Sequence, residues 1–491
     1  MEQISWKQPL RCGVMLVIFA ALLYAQGPDT LWTKAYGGAD DDGGRSILQT
    51  EDGGYIVAGI SYSFSATSDA YVIRTDSFGD SLWSRIYGGD SGDWASGMVA
   101  APGGGFVLSG GTYSYGQGRD DVYVIKIDED GDTVWTKTYG TPLREQAGEI
   151  KQTPDGGYIT AGITGLPPNA YDIYIIKMDS LGDSIWTRTY GGTSFDQANS
   201  IQLTADGGYV ILATTNSFGA GSYDFYVIVT DSIGDTLWTK TYGGGNADWG
   251  RSVAQTPDGG YILAGYTNSF GAGSDDIYLV RTDAAGDTLW TKTYGGVDYD
   301  RASSLELAGT GYILVGWTMS FGAGSRDVYF MKLDSLGDTL WTKTYGESAK
   351  DEGSSFEHTT DGGYIIAGLT RSYGSGFDDF YLIKTAPETG VSEYQVAYPG
   401  TCLDVYPNPF NELLFIKLDI GKVNNHIALQ IYDIAGRLQK SFPASALGSV
   451  HENKLSWDGR NSAGEELPNG VYFLKLTDGS HTEIHKLLLL R

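Results

Sequence analysis

The amino-acid sequence predicts an all-β chain in which seven copies of a four-stranded unit close into a β-propeller and a small β-sandwich follows. Three observations carry this. Trp32, Trp83, Trp135, Trp186, Trp238, Trp290 and Trp341 recur at intervals of 51 or 52 residues. Within each period four short runs alternate in the manner of strands, bounded by Gly, Asp, Asn and Ser. Glycine makes up 70 of the 491 residues, about twice its usual share of ~7%. Hydrophobic residues at 41% and aromatic ones at 13% supply ample core, and no three-residue glycine period occurs, so neither a disordered nor a collagenous chain fits.

In chain order, residues 1–25 come first. Lys7 and Arg11 precede an apolar run from Cys12 to Tyr24, and 13 residues are too few to span ~30 Å of hydrocarbon as a helix. The segment reads as a secretory signal cut between Ala25 and Gln26, which leaves no transmembrane segment in the mature chain. Cys402 is then the remaining cysteine, so no intramolecular disulfide can form and stability must come from packing.

Residues 26–385 are the repeat. Tyr55, Phe106, Tyr158, Tyr209, Tyr261, Tyr312 and Tyr364 recur with the tryptophan, as do Tyr71, Tyr123, Tyr174, Tyr226, Tyr278, Tyr329 and Tyr381. In the fifth period the strands are expected at Arg251–Thr256, Tyr261–Thr267, Ile277–Asp283 and Thr288–Tyr294. Four strands in about 50 residues match a propeller blade, whereas a helical solenoid would show a 3.6-residue pattern. The first unit opens with only the tryptophan strand, Thr30–Tyr36, and the last ends after Phe380–Lys384 without one. Pairing those ends completes the seventh blade and removes the open edges of a stack. A monomer is expected.

The run Asp283-Ala-Ala-Gly-Asp287-Thr-Leu-Trp290, echoed at Asp231–Trp238, resembles the tryptophan-bearing turn of quinoprotein-type propeller repeats. The resemblance implies blade architecture alone, since no segment matches the quinone-holding residues of those enzymes. The tryptophans read as blade-to-blade packing.

Residues 386–401 break the period and contain Pro387, Gly390, Pro399 and Gly400, as a linker does. In residues 402–491, runs such as Leu413–Leu418, Ala428–Tyr432 and Val471–Leu476 alternate between turn residues, as in a small β-sandwich. This segment also holds Val405-Tyr-Pro-Asn-Pro-Phe410, Ile431-Tyr-Asp-Ile-Ala-Gly-Arg437, Trp457-Asp-Gly-Arg460, Asn469-Gly-Val-Tyr-Phe-Leu-Lys475 and Lys486-Leu-Leu-Leu-Leu-Arg491. In that order they resemble the type IX secretion sorting domain of Bacteroidota-like bacteria, related to the Ig-like module of flagellar hook-capping proteins. The resemblance implies export to the periplasm, passage across the outer membrane through the type IX machinery, and a secreted or cell-surface destination.

Charge and chemistry narrow the function. With 33 Lys+Arg against 60 Asp+Glu the net charge is -27, which repels nucleic acid and anionic lipid. Residues 402–491 hold 9 basic and 10 acidic side chains, so the acidity belongs to the propeller. The propeller has one histidine, His358, no cysteine and no metal-ligand spacing of His and Cys, so no enzyme signature emerges. Asp42, Asp93, Glu145, Asp196, Asp248, Asp300 and Asp351 precede the inner strands. Asp69, Asp121, Asp172, Asp224, Asp276, Asp327 and Asp379 stand two residues before the third strands' tyrosines, on the same face. These acids either cap turns or form a carboxylate ring that could take Ca²⁺ or a cationic ligand; no other cofactor is expected.

Specificity should lie where the repeats differ. The departures are Asp90–Trp94, Thr141–Gln146, Asn246–Trp249, Val297–Arg301, Ser348–Glu352 and Gly165–Ala170. Trp94 and Trp249 are expected in exposed loops, able to stack on sugar rings or anchor a protein. The function expected is a secreted or cell-surface binding or scaffold protein for glycan or protein. The alternative is a secreted hydrolase or lyase working through a carboxylate pair.

Overall fold

The computed structural model describes residues 27–166, 170–388, 401–406, 410, 413–420, 428–433, 437–442, 453–477 and 482–489. The cleavage point at Ala25 and Gln26 lies outside them. The chain divides into two compact units, Met1–Thr389 and Gly390–Arg491. Among the described residues no helix is long and apolar enough to cross a membrane.

The first unit is seven antiparallel four-stranded sheets. Blades 1 to 6 run from inner to outer strand in chain order over Asp42–Tyr87, Asp93–Tyr139, Glu145–Tyr190, Asp196–Tyr242, Asp248–Tyr294 and Asp300–Tyr345. In blade 5 the strands are Asp248–Gln255, Tyr261–Thr267, Asp276–Thr282 and Thr288–Tyr294. The inner one starts three residues before its expected position because Asp248 and Trp249 pair with Thr267 and Tyr266. Second and third strands are buried along almost their whole length, with the apolar runs of two-sided sheets. The outer strands alternate between exposed and half-buried.

Blade 7 consists of Asp351–His358, Tyr364–Thr370 and Asp379–Thr385, with Thr30–Tyr36 as its outer strand. Trp32 stands opposite Lys384 and Tyr36 opposite Phe380, so the chain's two ends share one sheet. The ring then closes on itself: Phe380, Leu382 and Ile365 of blade 7 share a core with Ile47, Val57 and Ile73 of blade 1.

The recurring tryptophan explains why the blades stay in register. A Cβ on Gly79, in the last turn of blade 1, would come within 2.8 Å of the Trp32 ring, so only glycine lets the indole lie flat on that turn. The Tyr36 hydroxyl donates to the Gly79 carbonyl, and Lys34 reaches Asp80 at 2.8 Å. The same clasp joins Trp186 to Gly234, Trp238 to Gly286 and Trp290 to Gly337. At the seam between blades 6 and 7 the turn is supplied by the N-terminal segment. Trp341 covers Gly27, the Tyr345 hydroxyl donates to the Pro28 carbonyl at 2.8 Å, and Lys343 meets Asp29 at 2.9 Å. The first ten described residues therefore close the ring twice, as turn and as strand.

The propeller runs three residues past its expected end, because Glu388 is held by Lys332 and accepts a hydrogen bond from the Tyr364 hydroxyl at 2.6 Å. The second unit has one sheet of Thr401–Tyr406, Leu414–Ile420 and Asn453–Trp457 and another of Leu438–Phe442, Ala428–Asp433, Gly470–Thr477 and Thr482–Leu489. Trp457, Phe410, Leu429, Ile431, Leu474 and Leu487 pack in one core, which makes the unit a β-sandwich.

Candidate functional site

The acids named from the repeat meet at the blade junctions. Asp42, Asp93, Glu145, Asp196, Asp248, Asp300 and Asp351 are all buried. Asp248 accepts the Gly244 N–H at 2.7 Å and the Ser269 hydroxyl at 2.8 Å, and the Thr267 hydroxyl also donates to it. Asp276, its counterpart in the third strand, accepts the N–H groups of Ala272 and Gly273, both at 3.0 Å. The two acid series face each other across a glycine: a Cβ on Gly243 would lie 2.1 Å from Asp224 Oδ1 and 2.6 Å from Asp248 Oδ2. These are the hydrogen bonds of turn caps, while Oδ1 of Asp42, Asp69, Asp93, Asp172 and Asp379 is buried without a hydrogen-bond partner among the described residues. Among the described residues no cluster of three or more His, Cys, Asp or Glu is placed to hold a metal. A Ca²⁺ ion takes six to eight oxygens, more than the four of two facing carboxylates. Millimolar Ca²⁺ is therefore expected to leave the melting temperature unchanged in differential scanning fluorimetry, where a bound ion would raise it by mass action.

Burial does move the protonation of these pairs. It raises the carboxyls of Asp69, Asp172, Asp224, Asp276, Asp327 and Asp379 above the usual range, and the facing acid adds to the rise. On the opposite face the acids of the Asp-Gly-Gly turns are lowered. Asp52 falls to about 2 through the hydrogen bond from Arg74, and Asp258 to about 2 through those from Thr256 and Arg281. Asp155 and Asp361 are also at about 2, where burial pulls upward but hydrogen bonds from Lys177 and Lys384 outweigh it.

The raised group stabilises the fold when protonated, and that contribution is lost as pH rises through the folded values. The lowered group stabilises it when ionised, and is lost as pH falls from the ordinary value toward 2. Melting temperature is therefore expected to rise as pH falls through the range of the raised carboxyls, peak near the ordinary carboxylate value of about 4, and drop below that. A curve that falls monotonically from pH 8 to pH 4 would contradict this assignment.

The asymmetric part of the ring lies on the same face, at the mouth of the central channel. Trp94 and Trp249 are not in loops, as the sequence suggested, but are the second residues of inner strands and half-buried. Trp94 settles on side-chain-free Gly111, where a Cβ would meet its ring at 2.3 Å, and lies 5.7 Å from the Tyr113 ring. Trp249 is one rung of a ladder across four blades. Tyr171 meets Phe195 at 5.9 Å, Phe195 meets Tyr223 at 5.8 Å and Tyr223 meets Trp249 at 4.5 Å. Trp249 stacks on Tyr266 at 6.3 Å and 13°. The Arg301 guanidinium then lies 4.3 Å from the Tyr266 ring and 5.1 Å from Trp317, and the Arg326 guanidinium lies 4.5 Å from the Trp317 ring. Asp275 anchors Arg301, with Nε to Oδ2 at 2.8 Å, and Glu352 accepts from Arg326.

This row opens into a cavity of about 330 Å³ lined by Arg251, Tyr266, Arg301, Trp317 and Glu352. Below it the channel widens into about 440 Å³, with Glu149, Lys151, Glu306 and Glu357 on its wall. Burial and the neighbouring Glu357 push Glu306 up to about 7. Glu149 is tied down by Lys151 at 2.6 Å and by the Ser200 hydroxyl at 2.8 Å. His358 ends its inner strand 4.5 Å from the Tyr364 ring, and burial lowers its pKa.

Tyr171, Phe195, Tyr223, Tyr266, Trp317 and Arg326 escaped the sequence reading. The signal existed: Tyr266 and Trp317 occupy the second-strand position that is isoleucine in Ile60 and Ile163 and leucine in Leu369, and they face Trp249 and Arg301 across the ladder. A departure at one position has meaning only when its cross-strand partner also departs.

Residues 404–490 match the family of secretion system C-terminal sorting domains. The chain is 25% identical over 224 residues to the regulatory protein FlaEY of Caulobacter vibrioides, a match covering 38% of this chain and 23% of that protein. The chain thus spans about a quarter of that relative's length. Among solved structures, PorZ, a surface component of the type IX secretion system of Porphyromonas gingivalis, is similar at 14% identity and a TM-score of 0.43, covering 93% of this chain and 61% of that one. The WD40 domain of Neurospora crassa Pan2 is similar at 12% identity and a TM-score of 0.48, covering 74% and 97%. The sorting domain makes this a protein exported to the cell surface or beyond it.

Proposed function

We propose that the propeller is the binding module of this exported protein, acting as a monomer, and that its ligand is a glycan taken at the channel mouth. The observation that carries the reading is the row from Tyr171 to Arg326. It breaks the sevenfold symmetry and lines up half-buried Trp249, buried Tyr266 and Trp317 and two guanidinium planes beside an open cavity. Aromatic faces take the C–H faces of sugar rings, and guanidinium groups take hydroxyls or acidic substituents. The buried acid pairs at the junctions, Asp42 with Asp379 among them, remain scaffold in this reading.

The test is a glycan array with the mature full-length chain, followed by calorimetry on the best hit. Trp249→Ala is expected to weaken that hit about ten-fold while the melting curve stays cooperative, as for a truncated aromatic contact worth above ~1 kcal/mol. Unchanged affinity in this variant would remove the mouth from the site. A second reading, a carboxylate-dependent hydrolase or lyase, draws on Glu306, whose raised pKa beside Glu357 in the channel is that of a proton-holding acid. Loss of glycan cleavage in Glu306→Gln, with binding retained, would establish it.

A further inference from the structure

Each inner strand carries a β-bulge near its middle. In six blades the pairing skips one residue: Arg45, Ser96, Asn199, Arg251, Ser303 and Ser354 have no partner in the second strand. A bulge re-aims the extra side chain, and all six residues line the channel cavity of about 440 Å³. The result is one layer of two guanidiniums, an amide and three hydroxyls.

The two arginines are unlike their neighbours. Arg74, Arg144, Arg188, Arg281, Arg301 and Arg326 each meet a carboxylate within 4 Å. Arg45 has the Ser96 hydroxyl at 3.3 Å and Arg251 the Tyr266 hydroxyl at 3.5 Å, with no carboxylate among their contacts. In a chain with 60 acidic residues, these two arginines face one cavity without a carboxylate partner among the described residues. Arg45 is reached by water along the channel yet has protein on every side, and this enclosure lowers its pKa. A water-reached guanidinium without a carboxylate partner is open to an entering anion.

A route exists. The mouth cavity and the channel cavity share Asn199, Arg251, Ser303 and Ser354, so a ligand passing the rings of Tyr266 and Trp317 reaches Arg251 and then Arg45. The same cavity is also lined by Glu149, Glu306 and Glu357, of which Glu149 is paired with Lys151.

We infer that the channel binds an acidic oligosaccharide through uronate carboxylates on Arg251 and Arg45, with Asn199 and the three serines serving its hydroxyls. The inference rests on the glycan reading above and specifies its chemistry as acidic. A cavity of about 440 Å³ lies within the ~300–1,000 Å³ of small-molecule sites.

Calorimetry on the mature full-length chain would use three probes: a four-residue oligouronate, the same oligosaccharide with its carboxyls reduced to alcohols, and a sulfated oligosaccharide without carboxyls. The oligouronate should bind tightest, and the double variant Arg45→Gln/Arg251→Gln should bind it about a hundred-fold more weakly, two charge-assisted bonds being lost. Should that variant misfold, salt provides the second readout, since raising NaCl from 50 to 500 mM should weaken the oligouronate and spare the neutral probe. Equal binding of the neutral probe, indifferent to the double substitution, overturns the inference and leaves the glycan reading standing. Preference for the sulfated probe overturns the carboxylate assignment, and binding of none of the probes or array glycans overturns both readings.

Discussion

A chain lacking Thr30–Tyr36 is expected to be recovered as aggregate, or as a monomer without a cooperative melting transition. The strand supplies the outer edge of blade 7, the Trp32 cover over Gly79, the Tyr36 bond to that turn and the Lys34–Asp80 pair. Without it, Asp379–Thr385, a fully buried strand, becomes an open edge with unpaired N–H and C=O groups. Loss of a packed tryptophan costs about 3–5 kcal/mol at a buried site and somewhat less at half-buried Trp32, and the lost bonds add about 1 kcal/mol each. The sum is comparable to the ~5–15 kcal/mol that hold a whole domain. Trp32→Ala alone should lower stability by an amount similar to Trp238→Ala in mid-ring, because the two indoles make the same clasp. Differential scanning calorimetry decides it: a truncated chain that unfolds cooperatively at the native midpoint is incompatible with closure by this strand.

Deleting residues 402–491 is expected to produce the second large effect, a folded propeller retained in the periplasm and absent from the surface and the medium. The two units divide at 389/390, and the sorting-domain match falls wholly within the second. The propeller has its own seven-blade core, closed within the described residues 27–388. Fractionation of a host with this secretion system, with protease protection as the assay, would measure the distribution. Surface or medium protein from the truncated gene would refute the sorting role, while periplasmic protein with a native melting curve would separate export from folding.

Much of this molecule was legible in the residues because a repeat reports its own fold. Seven tryptophans at constant spacing mark the contact between neighbouring blades, and the missing outer strand of the last repeat points to Thr30–Tyr36. The sorting domain was equally readable, since its motifs occur in order over residues 404–490. Strand starts were less so: the inner strand of blade 5 begins at Asp248, because a capping acid and a variable residue still pair although neither fits the alternation.

What the sequence determined by itself was everything that depends on local pattern or on repetition: four strands per unit, seven units, the closing strand, a separate second domain and the acidic balance of the ring. What only the tertiary structure decided was which residues face one another from different blades. Phe195, Trp249, Arg301 and Arg326 lie in three blades and across more than a hundred residues of sequence, yet stacking brings them into one row. Arg45 and Arg251 stand in blades 1 and 5, and only the bulge that turns each inward gives them the same cavity. The physical reason is that periodicity specifies which way a side chain points within its own sheet, whereas a site on a ring is made by side chains of separate sheets. Their meeting is set by the closure of the ring, and no interval along the chain encodes it.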